Sequence, residues 1–524
     1  MKRRSFNLAL ILILALLSVS AVGYVLWGGR VVIEEYKTVG RAADIRPDYS
    51  GTVIPANIAP LNFVVEEEGV HYCAKITSKN GEGIEVFSRS GKISIPVRRW
   101  RRLLSRNKGE ELCFDIFVKR ASGQWERFEA IKNRIANEEI DGFLVYRKIY
   151  PIHNTWGDME IRQRRLGDFE ETTLLDNKFF GWGCVNCHTF YENSTDRMLM
   201  HIRTAKGPSM ILIENGKAAN IDSRSQFGSA PIGHTAWHPS GKMIVFTVYK
   251  VVQFFHMARR EVRDVVDLDS SMGYYLLESE SMKSTPALSD EDYLETFGTW
   301  SADGRYLYFC RAPILWPDRE TVPPENFEKS RYSLMRISYN IERDKWGELE
   351  TVLSAEETGL SIIQPRISPD GRFLLFCMCE YSGFPAFQSN SDLYLMELST
   401  GRYERLKCSS DESESWHSWS SNGRWIVFSS KMGDGLFIRP YFSYIDGNGR
   451  ASKPFVLPQK DAGFYDSYFK LFQIPELIKS PVPLGGGKLV GLIQSGAEGV
   501  GEMAITSATP AAGAEPWQWR EGQR

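Results

Sequence analysis

Trp300-Ser-Ala-Asp-Gly-Arg-Tyr-Leu-Tyr-Phe309 is one of four copies of a pattern: a hydrophobic anchor, a glycine-centred turn, a basic residue and an apolar run. The others are Trp237-His-Pro-Ser-Gly-Lys-Met-Ile-Val-Phe246, Ile367-Ser-Pro-Asp-Gly-Arg-Phe-Leu-Leu-Phe376 and Trp419-Ser-Ser-Asn-Gly-Arg-Trp-Ile-Val-Phe428. Asp-Gly and Asn-Gly supply the positive φ of a tight hairpin, so each copy predicts two antiparallel strands. The copies start 63, 67 and 52 residues apart. A blade of four short strands takes about 40 to 45 residues, and the surplus goes into loops. Third strands are predicted at Gly273–Leu277, Tyr332–Ile337, Asp392–Leu398 and Tyr441–Asp446. Ser209–Gly216 reads as part of an earlier blade, and Lys488–Ile493 as a weakly marked strand of the last. The pattern predicts a β-propeller over residues 205–495, with six blades expected and five or seven as alternatives.

Residues just before each anchor belong on the innermost strands. His234, Phe297, Gln364 and Trp416 are equivalent, and so are Thr235, Gly298, Pro365 and His417. His234 and His417 are thereby expected near one channel mouth, either to assist chemistry or simply to hydrogen-bond a neighbouring blade. His238 replaces a Ser of the turn and is expected to face solvent.

The chemistry is concentrated in Cys184-Val-Asn-Cys-His188, a Cys-x-x-Cys-His run. Two thiols at this spacing bond the two vinyl groups of one porphyrin, and the adjacent imidazole reaches its iron. With 8 Cys and 8 His in 524 residues, chance would produce the run about once in five hundred such chains. A zinc site, a redox pair and inert thiols are the alternatives, but no second Cys or His pair lies nearby to complete a zinc set. The run predicts covalent haem c at Cys184 and Cys187, with His188 as proximal iron ligand. Met198, Met200 and His201 follow within a short loop's reach. His201 is the first candidate for the distal position and the two methionines the next, with an inner propeller His or an open position remaining. The same Met198–His201 run also reads as an ordinary strand entering the first blade.

Lys2-Arg3-Arg4 precedes Phe6–Trp27, 22 positions without a charged residue. About 20 suffice to cross a bilayer. Residues 1–30 read as a signal anchor, with cleavage after Val19-Ser20-Ala21 as the alternative. The rest would be exported and tethered through residues 6–27 to the inner membrane of a bacterium, facing the periplasm. The 63 basic and 65 acidic residues balance, which gives no electrostatic case for nucleic acid. Arg98-Arg-Trp-Arg-Arg102 reads as a solvated helix face within a short helix from Pro96 to Ser105.

Residues 45–155 read as a small β-sandwich, with Val70, Tyr72, Ala74 and Ile76 on one face of a strand. Cys73 and Cys113 fall in this domain, either as a disulfide or as small buried hydrophobes. Cys310, Cys377 and Cys379 are expected in the propeller core. Residues 156–204 are assigned as the haem-binding segment and 496–524 as a flexible tail.

Arg46-Pro-Asp-Tyr-Ser-Gly51, Ile54-Pro-Ala-Asn-Ile-Ala-Pro-Leu-Asn-Phe63, Leu175-Asp-Asn-Lys178, the Cys-x-x-Cys-His run and the Asp-Gly repeats together resemble one family. It is the exported TolB-like, WD-related propeller proteins with a Cys-x-x-Cys-His site, common in Bacteroidetes. The architecture is also similar to the haem-bearing propeller subunit of hydrazine synthase, a likeness of fold that carries no catalysis across. The resemblance implies a mainly β chain: a transmembrane helix, a β-sandwich, a haem-bearing segment and a TolB-like propeller. It transfers Cys184, Cys187 and His188. Three functions follow: an electron-transfer protein or redox-complex subunit, a haem enzyme acting on a small molecule, and a non-catalytic envelope scaffold or haem sensor. A redox partner or envelope protein docking on the propeller is the expected partner.

Overall fold

The computed structural model describes residues 33–150, 157–222, 232–256 and 261–496. The signal-anchor assignment, on residues 1–30, and nearly all of the flexible tail lie outside the described residues. No helix among the described residues is long and apolar enough to cross a membrane.

Six four-stranded antiparallel sheets make a propeller-like ring. Blade 1 combines Phe143–Ile149, Met159–Arg165 and Glu171–Asp176 with Leu471–Ile478 from the far end of the chain. Blade 2 runs from Cys184–Tyr191 to Lys217–Asp222, blade 3 from Ile232–Trp237 to Ser281–Lys283, and blade 4 from Tyr293–Trp300 to Lys345–Leu353. Blade 5 runs from Ser361–Ile367 to Tyr403–Arg405, and blade 6 from Glu414–Trp419 to Phe455–Val456. The first strand of blades 2 to 6 and Leu471–Ile478 of blade 1 are innermost, and each packs on the next around the ring. Phe143 pairs with Ile478, which fastens the two ends of the ring together.

The repeat explains this packing. Gly241, Gly304, Gly371 and Gly423 hold φ between +64° and +71° in the four turns, where only glycine avoids a Cβ penalty. The closing residues of the four copies, Phe246, Phe309, Phe376 and Phe428, are each 0% exposed. Burying each such side chain contributes about 1.5–3 kcal/mol. Cys310, Cys377 and Cys379 are core residues as expected.

Two sheets precede the ring. A seven-stranded sheet includes His71–Ser78 and Glu111–Lys119, and a three-stranded sheet joins Ile45–Arg46, Phe63–Val65 and Lys92–Ile93. Tyr72, Ala74 and Ile76 face the core, while Val70 lies before the strand and is exposed. The helix is Val97–Ser105; Trp100, Leu103 and Leu104 are buried and the four arginines point outward. Cys73 pairs with Phe117 and Cys113 with Thr77, four rungs apart, so about 13 Å separates them along the strands and both thiols are free. This unit docks on blade 6, where Asp141 accepts from Ser421 N and Oγ at 2.7 and 2.6 Å and Trp425 Nε1 donates to the Glu138 carbonyl at 3.1 Å.

Three expectations are corrected. The ring begins at Phe143 rather than residue 205, because blade 1 is shared between both ends and residues 156–204 divide between blades 1 and 2. Lys488–Ile493 is helical, inside Gly486–Ser495, because Leu471–Ile478 has already closed the ring. His238 is 4% exposed: Nδ1 meets Ser240 Oγ at 2.8 Å, and Nε2 meets the Gly304 carbonyl of the next blade at 2.9 Å.

Candidate functional site

The inner strands share one irregularity. In blades 1 and 3 to 6 the register slips in mid-strand. At each slip one residue has positive φ: Ile474, His234, Phe297, Gln364 and Trp416, between +46° and +56°. Positive φ is uncommon outside glycine, so its recurrence at one structural position marks a repeated β-bulge. A bulge leaves amides outside the ladder, which accommodates Pro365 and Pro475 at the next position. Its side chains enter the channel. The His234 ring stacks on Phe297 with centroids 4.1 Å apart, and Trp416 lies 5.8 and 6.1 Å from the two.

Blade 2 slips between Val185 and His188. The Cys-x-x-Cys-His run is therefore an inner strand, with Cys187 level with Thr235, Gly298, Pro365, His417 and Pro475. Cys187, His188, His234, Arg366, His417 and Glu476 all line one channel cavity of about 40 Å³. That holds a few waters, each needing about 10–15 Å³ on this measure. Arg366 and Glu476 form an ion pair at 3.0 Å across it. His234 and His417 both reach this cavity, and both bond a neighbouring blade. His234 Nδ1 meets Thr296 Oγ1 at 3.1 Å, and His417 Nε2 meets the Leu375 carbonyl at 3.2 Å.

Pairing with Ser194–Thr204 sorts the motif by face. Cys184 stands opposite Arg203, and His188 opposite Met200. Side chains alternate along a strand. Met198 and Met200 therefore share His188's face, toward Val145 of blade 1, while Leu199, His201 and Arg203 take the other, toward blade 3. The thiols lie on the blade 3 side: Arg203 Nη2 donates to Cys184 Sγ at 3.5 Å, and the His234 amide donates to Cys187 Sγ. His188 and His201 are thus brought into one blade but onto opposite faces of it. Met200 is the cross-strand neighbour of His188.

His188 is 2% exposed and meets only the backbone of Val145 and Ile474, while His201 is 0% exposed and neither of its ring nitrogens has a hydrogen-bond partner. Burial, with Arg147 adding to it, draws His188 down to about 3; burial holds His201 well below its ordinary value. Each is a neutral base, and leaving such a group buried without a partner, as at His201, costs about 1–3 kcal/mol. Burial also raises the Cys187 thiol. Arg147 and Arg203 bring two guanidinium charges beside the thiols. Two unbonded thiols with two neutral imidazoles have the donor chemistry for haem c. The channel cavity beside them, about 40 Å³, is too small to hold the whole macrocycle. Among the described residues no group of three or more His, Cys, Asp or Glu is arranged for a metal ion.

The sequence reading missed that the motif lies in a blade. Gln364-Pro365-Arg366 and Ile474-Pro475-Glu476 repeat the same bulge step, and that match would have located the closing strand. Glu192 and Asn193, with φ of +50° and +57°, form the turn of blade 2 without glycine.

No family model matches the chain, and no curated protein matches it. Among solved structures it is similar to hydrazine synthase from Kuenenia stuttgartiensis, with 12% identity, 51% of this chain and 64% of that chain covered, and a TM-score of 0.29. The chain thus spans somewhat under two thirds of that protein's length. It is also similar to the β-propeller domain of the Trilobed protease from Pyrococcus furiosus, with 12% identity, 67% and 95% coverage and a TM-score of 0.31. A third is a chain of the nidogen/laminin complex, with 9% identity, 65% and 99% coverage and a TM-score of 0.36.

Proposed function

We propose that this chain is a membrane-tethered periplasmic c-type cytochrome with one haem, acting in electron transfer or as a subunit of a redox complex. The observation that carries this reading is two buried, neutral imidazoles, His188 and His201, the latter without a hydrogen-bond partner, in one blade with the unbonded thiols of Cys184 and Cys187. Cys184 and Cys187 would hold the haem as thioethers, and His188 would be its proximal ligand. When bound, the haem supplies a one-electron couple. The chain's own groups set its surroundings. Burial keeps the His188 lone pair available, and Arg147 and Arg203 offer charge to balance carboxylates. Lys2-Arg3-Arg4 and the apolar Phe6–Trp27 run support a tether to the inner membrane. A redox partner or envelope protein would dock on the ring of blades.

A second reading has its own observation. Met198 and Met200 share His188's face of the blade and His201 lies on the other, while the small channel cavity beside His188 has His234 and His417 in its wall. That favours an open iron position serving a small-molecule enzyme or a sensor of diatomic gas.

The test is to produce the exported domain in a host that matures c-type cytochromes and record its pyridine haemochrome, then its ferrous spectrum with and without carbon monoxide. Absence of covalent haem overturns both readings. Low-spin iron indifferent to carbon monoxide supports electron transfer; high-spin iron that binds it supports the second reading.

A further inference from the structure

A cleft of about 640 Å³ opens where blade 1 meets the loop between blades 6 and 1, away from the channel. It falls within the range of about 300–1,000 Å³ typical of small-molecule sites. Lys148, Arg164, Phe169, Glu171, Tyr468 and Phe472 form its walls. Lys148 is 7% exposed and Arg164 4%.

The charges do not balance. Lys148 Nζ donates to Glu171 at 2.9 Å, but the same carboxylate accepts from Arg162 at 2.8 Å and from the Tyr146 hydroxyl. Arg162 also binds Glu160, which is shared with Lys470, and Lys470 in turn binds Asp158. Arg164 has no carboxylate. It donates to the carbonyls of Phe169 and Pro458, each at 3.1 Å, and its Nε has no partner. Buried positive charge without a counter-charge is costly. Burial lowers the Lys148 ammonium's pKa even with Glu171 beside it. At the rim, Asp461 is committed to Lys92 at 2.9 Å.

Flat apolar surface surrounds the surplus charge. Lys148 Nζ lies 5.3 Å from the Tyr468 ring centroid and 5.2 Å from Phe472, and the Arg164 guanidinium lies 5.3 Å from Phe169. We propose that this cleft binds a small organic anion, a carboxylate on an aromatic body. Arg164 and Lys148 take the carboxylate, and Phe169, Tyr468 and Phe472 take the ring. A neutral ligand of the same shape would leave the surplus charge uncompensated. This site is independent of the haem reading.

Benzoate is the probe and benzamide its neutral counterpart, each titrated calorimetrically into the full chain. Benzoate is expected to bind saturably and at least tenfold more tightly than benzamide. Arg164→Gln and Lys148→Met should each weaken benzoate at least tenfold and leave benzamide unchanged. Glu171→Gln removes the competing carboxylate and should tighten benzoate severalfold, a gain that a folding defect would not produce. No saturable benzoate binding, equal binding of the two probes, or an unchanged or weaker affinity in Glu171→Gln would overturn the proposal.

Discussion

Blades 6 and 2 place a histidine at adjacent steps of the same inner-strand bulge and treat it in opposite ways. In blade 6, His417 Nε2 meets the Leu375 carbonyl at 3.2 Å, and its Nδ1 lies 3.6 Å from Cys377 Sγ. In blade 2, His188 meets only the backbone of Val145 and Ile474, and His201 has no hydrogen-bond partner. His188 and His417 are equally enclosed, and burial draws each down to about 3. Burial and a shifted pKa therefore do not separate a structural histidine from a functional one. Unfilled hydrogen-bonding capacity, as at His201, is the sharper pointer to a candidate site, because a fold seldom retains that cost without a ligand to offset it.

The comparison breaks most sharply at the thiols. Cys184→Ala with Cys187→Ala should abolish all covalently bound pigment, read as the haemochrome band on a denaturing gel, while His417→Ala leaves the pigment attached. Retained pigment in the double variant would remove the functional meaning of blade 2.

Acid tests the effect of burial at the inner histidines of blades 3 and 6. His234 and His417 stay near 3 when folded, below the ordinary value of 6.5. Between those values the unfolded chain takes up protons that the folded chain refuses. Stability is therefore complete above about 6.5 and falls as pH drops toward 3, by about 1.4 kcal/mol per pH unit for each imidazole. Urea midpoints at pH 7 and 4.5 should show that loss, and His417→Leu should shrink it by one imidazole's share.

Substitution at neutral pH sharpens the contrast. His417→Ala should cost about 2–4 kcal/mol, since it opens a cavity and strands the groups it bonds. His201→Leu in pigment-free protein should be neutral or stabilise by about 1 kcal/mol, because it removes a polar group that has no partner. A large loss in His201→Leu would show that this imidazole is structural after all. Arg98→Ala, on the outward face of Val97–Ser105 and far from either bulge, should stay within about 0.5 kcal/mol.

Much of the ring could be read directly. Asp-Gly and Asn-Gly before an apolar run specify a hairpin through backbone sterics alone, so blades 4, 5 and 6 were visible, and Ser-Gly in Trp237–Phe246 revealed blade 3. The alignment of His234, Phe297, Gln364 and Trp416 held as well, because residues at a fixed distance before a rigid turn share its geometry. Blade 2 was read only from Ser209–Gly216, and blade 1 not at all. Glu192-Asn193 makes its turn without glycine, which leaves no local signal for the first hairpin of blade 2. Phe143 and Ile478 pair across most of the chain, and no local pattern encodes a partner that distant.

The sequence by itself determined the hairpins, the core phenylalanines and the presence of two thiols and an imidazole at the spacing for haem attachment, since local sterics and residue chemistry suffice for those. Only the tertiary structure decided that the motif is an inner strand, that His188 and His201 face opposite sides of one blade, and that Lys148 and Arg164 share a cleft short of negative charge. Register, facing and charge balance are properties of strands brought together, and they exist only once the ring has closed.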